Sequence, residues 1–87
     1  GAEPVRLTAL EFRLLHYLLQ NAEHVLTPGQ IIAQVWGDPA AADRTALKQL
    51  IRRLRRKIEP MPGAPRYLRT VPGSGYLLSV GTGGDEL

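Results

Sequence analysis

The sequence predicts an α+β domain in which three helices are followed by a C-terminal β-hairpin. Three observations carry that expectation. Capping-box signatures, Thr8-Ala9-Leu10-Glu11 and Thr27-Pro28-Gly29-Gln30, mark the starts of two apolar helices. A third amphipathic segment, residues 43–58, concentrates most of the positive charge. Beyond it a break rich in Pro and Gly leads to two short β-type runs joined by Pro72-Gly73-Ser74-Gly75.

The chain has 87 residues, 44% of them hydrophobic, which suits one small core. Residues 5–80 are assigned to that single domain and residues 81–87, which have no pattern, to a flexible tail. No cysteine is present, so disulfides and thiolate metal sites are excluded and a cytoplasmic location is expected. No apolar run approaches the ~18–20 residues of a membrane span, and no signal peptide is legible. No metal, cofactor or membrane partner is expected.

Val5-Arg6-Leu7 alternates in polarity and is a candidate very short strand. Thr8 then caps a helix over 9–20, with Glu11 reaching back to complete the box. Its residues Leu10, Phe12, Leu14, Leu15, Leu18 and Leu19 are assigned to the core, and His16 among them to a partly buried structural role. In the second helix Pro28 suits the first turn, Ile31, Ile32, Val35 and Trp36 face inward, and Gly37 and Pro39 end it. Trp36 reads as a core anchor rather than a stacking platform. A linker over residues 37–42, rich in Ala, Pro and Asp, leads to the cap Asp43.

The segment that follows holds seven of the eleven basic residues, Arg44, Lys48, Arg52, Arg53, Arg55, Arg56 and Lys57, with Asp43 its sole acid. Leu47, Leu50, Ile51, Leu54 and Ile58 fall within about 60° of one helical face. Thr45, Gln49, Arg52 and Arg56 point the opposite way. An ordinary solvated helix mixes charges and gains roughly 0.2–0.5 kcal/mol per i,i+4 pair. This one repels itself, which an anionic partner would relieve. Outside residues 43–58 there are four basic residues and seven acids, so one basic face sits on a mildly acidic body.

After Ile58, Pro60, Pro62 and Pro65 exclude a helix. Arg66 to Val71 and Tyr76 to Val80 read as the two strands of a hairpin. Three helices, the third basic, and a hairpin make a winged helix-turn-helix, in which the third helix lies in the major groove and the hairpin is the wing. Catalysis has no support: His16 and His24 lack acidic partners, and neither a phosphate-cradling G-x-x-x-x-G-K motif nor metal-ligand spacing occurs. The competing reading is a winged-helix interaction module whose basic helix docks an acidic protein.

Leu7-Thr8-Ala9-Leu10-Glu11-Phe12-Arg13-Leu14-Leu15 resembles the L-T-x-x-E-F-x-L-L opening of the OmpR/PhoB-type output domains of response regulators. The likeness continues through Ile31, Ile32, Val35-Trp36-Gly37, residues 51–58 and Thr70-Val71-Pro72-Gly73-Ser74-Gly75-Tyr76. It implies a bacterial two-component regulator that binds double-stranded DNA, commonly as a head-to-tail dimer on direct repeats. It also implies that residues near Arg53 enter the major groove, that the wing meets the minor groove, and that the 37–44 linker meets RNA polymerase. The family's four-stranded N-terminal sheet is largely missing, Val5 to Leu7 being its one candidate remnant. Leu47 to Ile51 replaces the V-D-V-H-I run of many members, which implies a different target, and Pro72 stands where the wing often has arginine.

The base-reading candidates are Lys48, Gln49, Arg52 and Arg53. An arginine gripping guanine O6 and N7 contributes roughly 1–3 kcal/mol of discrimination. Geometry points to Arg52 and the resemblance to Arg53, and both stay open. Thr27, Arg44, Thr45, Arg55, Arg56 and Lys57 are the phosphate candidates, and about five neutralised phosphates imply a log–log salt slope of roughly −4 to −5. Arg66, Arg69, Gly73 and Ser74 are the wing candidates.

Overall fold

The computed structural model describes residues 5–80, so the expected tail over 81–87 lies outside the described residues. Helix α1 spans Ala9–Gln20, α2 Pro28–Trp36 and α3 Arg44–Ile58; strands β1 (Leu68–Val71) and β2 (Gly75–Leu78) follow. Local chemistry explains the helix boundaries. Thr8 and Thr27 each accept the backbone N–H three residues on, while Glu11 and Gln30 accept the cap N–H in return. Asp43 caps α3 through the Ala46 amide at 2.8 Å. Gly37, with φ +83°, ends α2 in the left-handed region.

The three helices converge on Leu14 and Leu18 of α1, Ile31 and Val35 of α2, and Leu47, Leu50, Ile51 and Leu54 of α3, all buried. The hairpin closes this core with Leu68 and Leu78, which are register partners in the antiparallel pair. The α1–α2 loop docks on the hairpin's free edge. Leu26 and Tyr76 exchange backbone bonds of 2.8 and 2.9 Å, and Glu23 N–H donates to the Leu78 carbonyl. Tyr76 therefore packs the wing onto the body.

The strands are shorter than the sequence pattern suggests, and a carboxylate is the reason. Buried Glu59 accepts the N–H groups of Arg66, Tyr67 and Leu68 at 2.7–2.9 Å, so the chain entering the hairpin is held by a side chain before the ladder begins. Three other expectations are corrected. Residues 5–8 form no strand, because their polar groups turn elsewhere: the Arg6 carbonyl accepts from Lys57, and Thr8 N–H donates to Glu11. Phe12 and Leu19 lie 58% and 49% exposed on the outer side of α1, not in the core. His16 is exposed too, its ring stacked on Phe12 at 5.8 Å. Trp36 is half-buried against the core, in keeping with an anchor.

Candidate nucleic-acid interface

The apolar face of α3 is consumed by the core, and that commits the opposite face to solvent. Arg44, Thr45, Lys48, Gln49, Arg52, Arg53 and Arg56 are all exposed. Packing of Leu47, Leu50, Ile51 and Leu54 sets the helix rotation, so the display of these donors follows from the core.

The cations on α3 fall into two groups that spacing alone does not separate. Within the described residues, Arg44, Lys48, Arg52 and Arg56 have no side-chain hydrogen bond or ion pair to the protein. The other three are engaged. Arg55 donates through Nε to the Leu68 carbonyl at 2.9 Å and through Nη2 to the Thr70 hydroxyl at 2.8 Å, lacing α3 to β1. Lys57 Nζ donates to Glu11 Oε1 at 2.6 Å and to the Arg6 carbonyl at 2.8 Å. Arg53 Nε stands 3.6 Å from Glu11 Oε2, with the side chain 53% exposed.

Glu11 is the residue that sequence reasoning undervalued. The sequence marks it as a capping residue, yet it is 1% exposed and is the counter-ion of α3. Burial pushes its pKa up, but the Lys57 ammonium and the Thr8 amide outweigh that and hold it below the ordinary carboxylate value. A signal was present: Glu11, Leu14 and Leu18 share one helical face, and an acid on a core face requires a cation. Glu59 and Thr70 had no comparable signal, because their partners come from chain reversals.

Between the N-terminus of α2, the first half of α3 and the hairpin tip lies an open cleft of about 390 Å³. Thr27, Arg44, Lys48, Thr70, Gly73 and Ser74 line it. Two cations, Arg44 and Lys48, make this a concavity suited to an anion. The structure thus brings Thr27, Arg44, Lys48, Gly73 and Ser74 together. Arg52 and Arg56 instead flank a hollow with Pro62 and Gly63. Arg66 and Arg69 are exposed on the hairpin, Arg66 lying 5.5 Å over the Tyr67 ring and Arg69 Nε donating to the Arg66 carbonyl.

The tip is held against the body by Gly75. Its φ is +152°, and a Cβ there would overlap the Leu26 carbonyl oxygen. Gly73, at φ +77°, meets nothing. The sequence places both glycines in the turn, but Gly75 is required by close approach of two backbones.

A helix-turn-helix with a bonded wing and a bare basic helix narrows the family, and comparison with known proteins decides it. The family profile described as "Transcriptional regulatory protein, C terminal" matches residues 2–78. The chain belongs to this family. Its members are DNA-binding domains of transcriptional regulators of the OmpR/PhoB type, and the family is not one of enzymes. The domain is 44% identical over 78 residues to the DNA-binding dual master transcriptional regulator RpaA of Synechocystis, covering 90% of this chain and 32% of RpaA. It thus spans about a third of the length of such curated relatives. Among solved structures it is similar to the response regulator DrrB of Thermotoga maritima, an OmpR/PhoB homologue (34% identity, TM-score 0.76, 85% of this chain and 33% of that one). It is also similar to the RstA DNA-binding domain of Klebsiella pneumoniae, solved in complex with the RstA box (28%, TM-score 0.76, 91% and 78%). No helix of the described residues is long and apolar enough to cross a membrane.

Proposed function

We propose that this OmpR/PhoB-type domain binds double-stranded DNA sequence-specifically as the output part of a bacterial two-component regulator. In this reading α3 lies in the major groove and the hairpin, residues 66–80, near the minor groove. The observation that carries it is the set of four cations on α3, Arg44, Lys48, Arg52 and Arg56, that project from a rigidly packed helix with no partner in the described protein. The RstA domain's complex with its box supports the same use of the fold.

Lys48, Gln49, Arg52 and Arg53 are the base readers in this proposal. Thr27, Arg44 and Thr45, at or beside the anion-suited cleft, and Arg56 contact phosphates. Arg55 and Lys57 leave the phosphate set, since each already has two partners inside the protein. Arg66, Arg69, Gly73 and Ser74 form the wing contact. A head-to-tail dimer on direct repeats and a meeting of the 37–44 linker with RNA polymerase complete the proposal.

The test is fluorescence-anisotropy titration of a duplex enriched from a random library and of a random duplex. Arg52→Ala should reduce the preference for the enriched duplex roughly 5- to 150-fold, the equivalent of a 1–3 kcal/mol base contact. Arg56→Ala should weaken both duplexes by the same factor. Absence of any enriched motif, with tight binding to an acidic protein instead, would favour the interaction-module reading.

A further inference from the structure

We infer that Glu11 is the positioning residue for Arg53, so that the N-terminus of α1, far from the groove-facing surface in sequence, sets how one base pair is read. The inference rests on Arg53 being a groove residue, as proposed above. Among the described residues, Glu11 is the one carboxylate within ion-pair distance of the α3 cations. Its two oxygens do different things. Oε1 is filled by Lys57 Nζ at 2.6 Å and Thr8 N–H at 2.9 Å, while Oε2 faces Arg53 Nε at 3.6 Å. Lys57 is further tied to the Arg6 carbonyl, so the carboxylate is anchored from both sides before it meets Arg53.

The consequence lies in the shape of the guanidinium. It is a planar fork of five N–H donors, and a carboxylate on the Nε side leaves the edge carrying the two terminal nitrogens free. That edge presents the two parallel donors that guanine O6 and N7 accept. An arginine side chain has large rotamer freedom, and a carboxylate beside Nε that narrows it before contact removes part of the entropy lost on binding. Arg52, one residue away and with no partner in the described protein, lacks this restraint. The tie between Arg52 and Arg53 that helical geometry leaves open is therefore broken by a residue of another helix. Arg53 reads from a narrowed set of rotamers and Arg52 adapts.

A double-mutant cycle on the 87-residue chain tests this, using the enriched duplex, its single-base variants and a random duplex. Glu11→Gln should lower the preference at one base-pair position by roughly tenfold, at the position that Arg53→Ala also relaxes. The double variant should be no less selective than Arg53→Ala alone. Lys57→Met, which breaks the same buried pair but keeps the carboxylate beside Arg53, should lose stability and keep selectivity. If Arg53→Ala leaves selectivity intact, the groove role of Arg53 is wrong and the inference falls with it. If Arg53→Ala relaxes selectivity while Glu11→Gln does not, or the two effects add, the positioning role alone is overturned. Should Glu11→Gln fail to fold, ¹⁵N relaxation of the arginine Nε–H groups in the unsubstituted, DNA-free chain decides instead. Arg53 should be distinctly more ordered than Arg52, and equal mobility overturns the inference.

Discussion

Lys57 and Glu11 show how a single pair shapes both stability and charge display. A carboxylate that is 1% exposed pays heavily for burial unless it is paired and hydrogen-bonded, and here an ammonium and a backbone amide answer it. Its folded pKa lies below its ordinary value, so its stabilising contribution is present above the unfolded pKa and is lost as pH falls through the folded one. Lys57→Met should cost on the order of 2 kcal/mol at neutral pH, less than a fully buried pair because the Lys57 side chain is 32% exposed. It should also flatten the pH trend of this group, since the carboxylate then has only the Thr8 amide and Arg53 to set against its burial. Thermal melts of both proteins across pH 3–7 check this through their difference, in which the other carboxylates cancel. A constant offset at every pH would show that the pair is not the source.

At the scale of elements, the wing is positioned by three devices that belong to other parts of the chain. Glu59 gathers the amides leading into β1, Arg55 binds the Leu68 carbonyl and the Thr70 hydroxyl, and the Leu26 backbone pairs with Tyr76. A hairpin of two four-residue strands would be marginal alone. The two turn glycines accordingly differ in kind. Gly73→Ala should cost about 1–2 kcal/mol, the strain of a left-handed residue in open space. Gly75→Ala should cost more, because relieving its clash with Leu26 means undocking the hairpin. Urea unfolding measures the first comparison, and amide hydrogen exchange at Tyr76 reports whether the hairpin has left the loop. Equal losses in the two variants would remove the close-approach argument.

The whole molecule carries a net charge of only +3, yet its unpaired cations on α3 project from one face. That asymmetry, rather than net charge, governs association with a polyanion. Of the phosphate contacts that remain once Arg55 and Lys57 are held internally, two are cationic, Arg44 and Arg56, and two neutralised phosphates give a log–log salt slope of about −2. The steeper slope of roughly −4 to −5 that about five neutralised phosphates imply should not be observed. Titrations at several salt concentrations decide it, and a slope near −4 would mean that both residues exchange their protein partners for phosphates on binding.

The helices were legible because their determinants are local. Thr8, Thr27 and Asp43 cap within three residues, and the apolar spacing of Leu47, Leu50, Ile51 and Leu54 gives the buried face of α3 directly. Periodicity did less for α1. Phe12, Leu15 and Leu19 lie on a second apolar stripe, and nothing in their spacing says which stripe meets the core. The bare display of Arg44, Lys48, Arg52 and Arg56 was likewise readable, being set by helix rotation. Which cations are already spent was not, since the partners of Arg53, Arg55 and Lys57 sit 42, 15 and 46 residues away in the chain. Capping, amphipathicity and charge concentration are properties of neighbouring residues, so three helices, a hairpin and a basic face follow from the order of amino acids alone. The division of that face into free and committed charge, and the docking of the wing, depend on long-range pairing and backbone contact, which exist once the chain has folded.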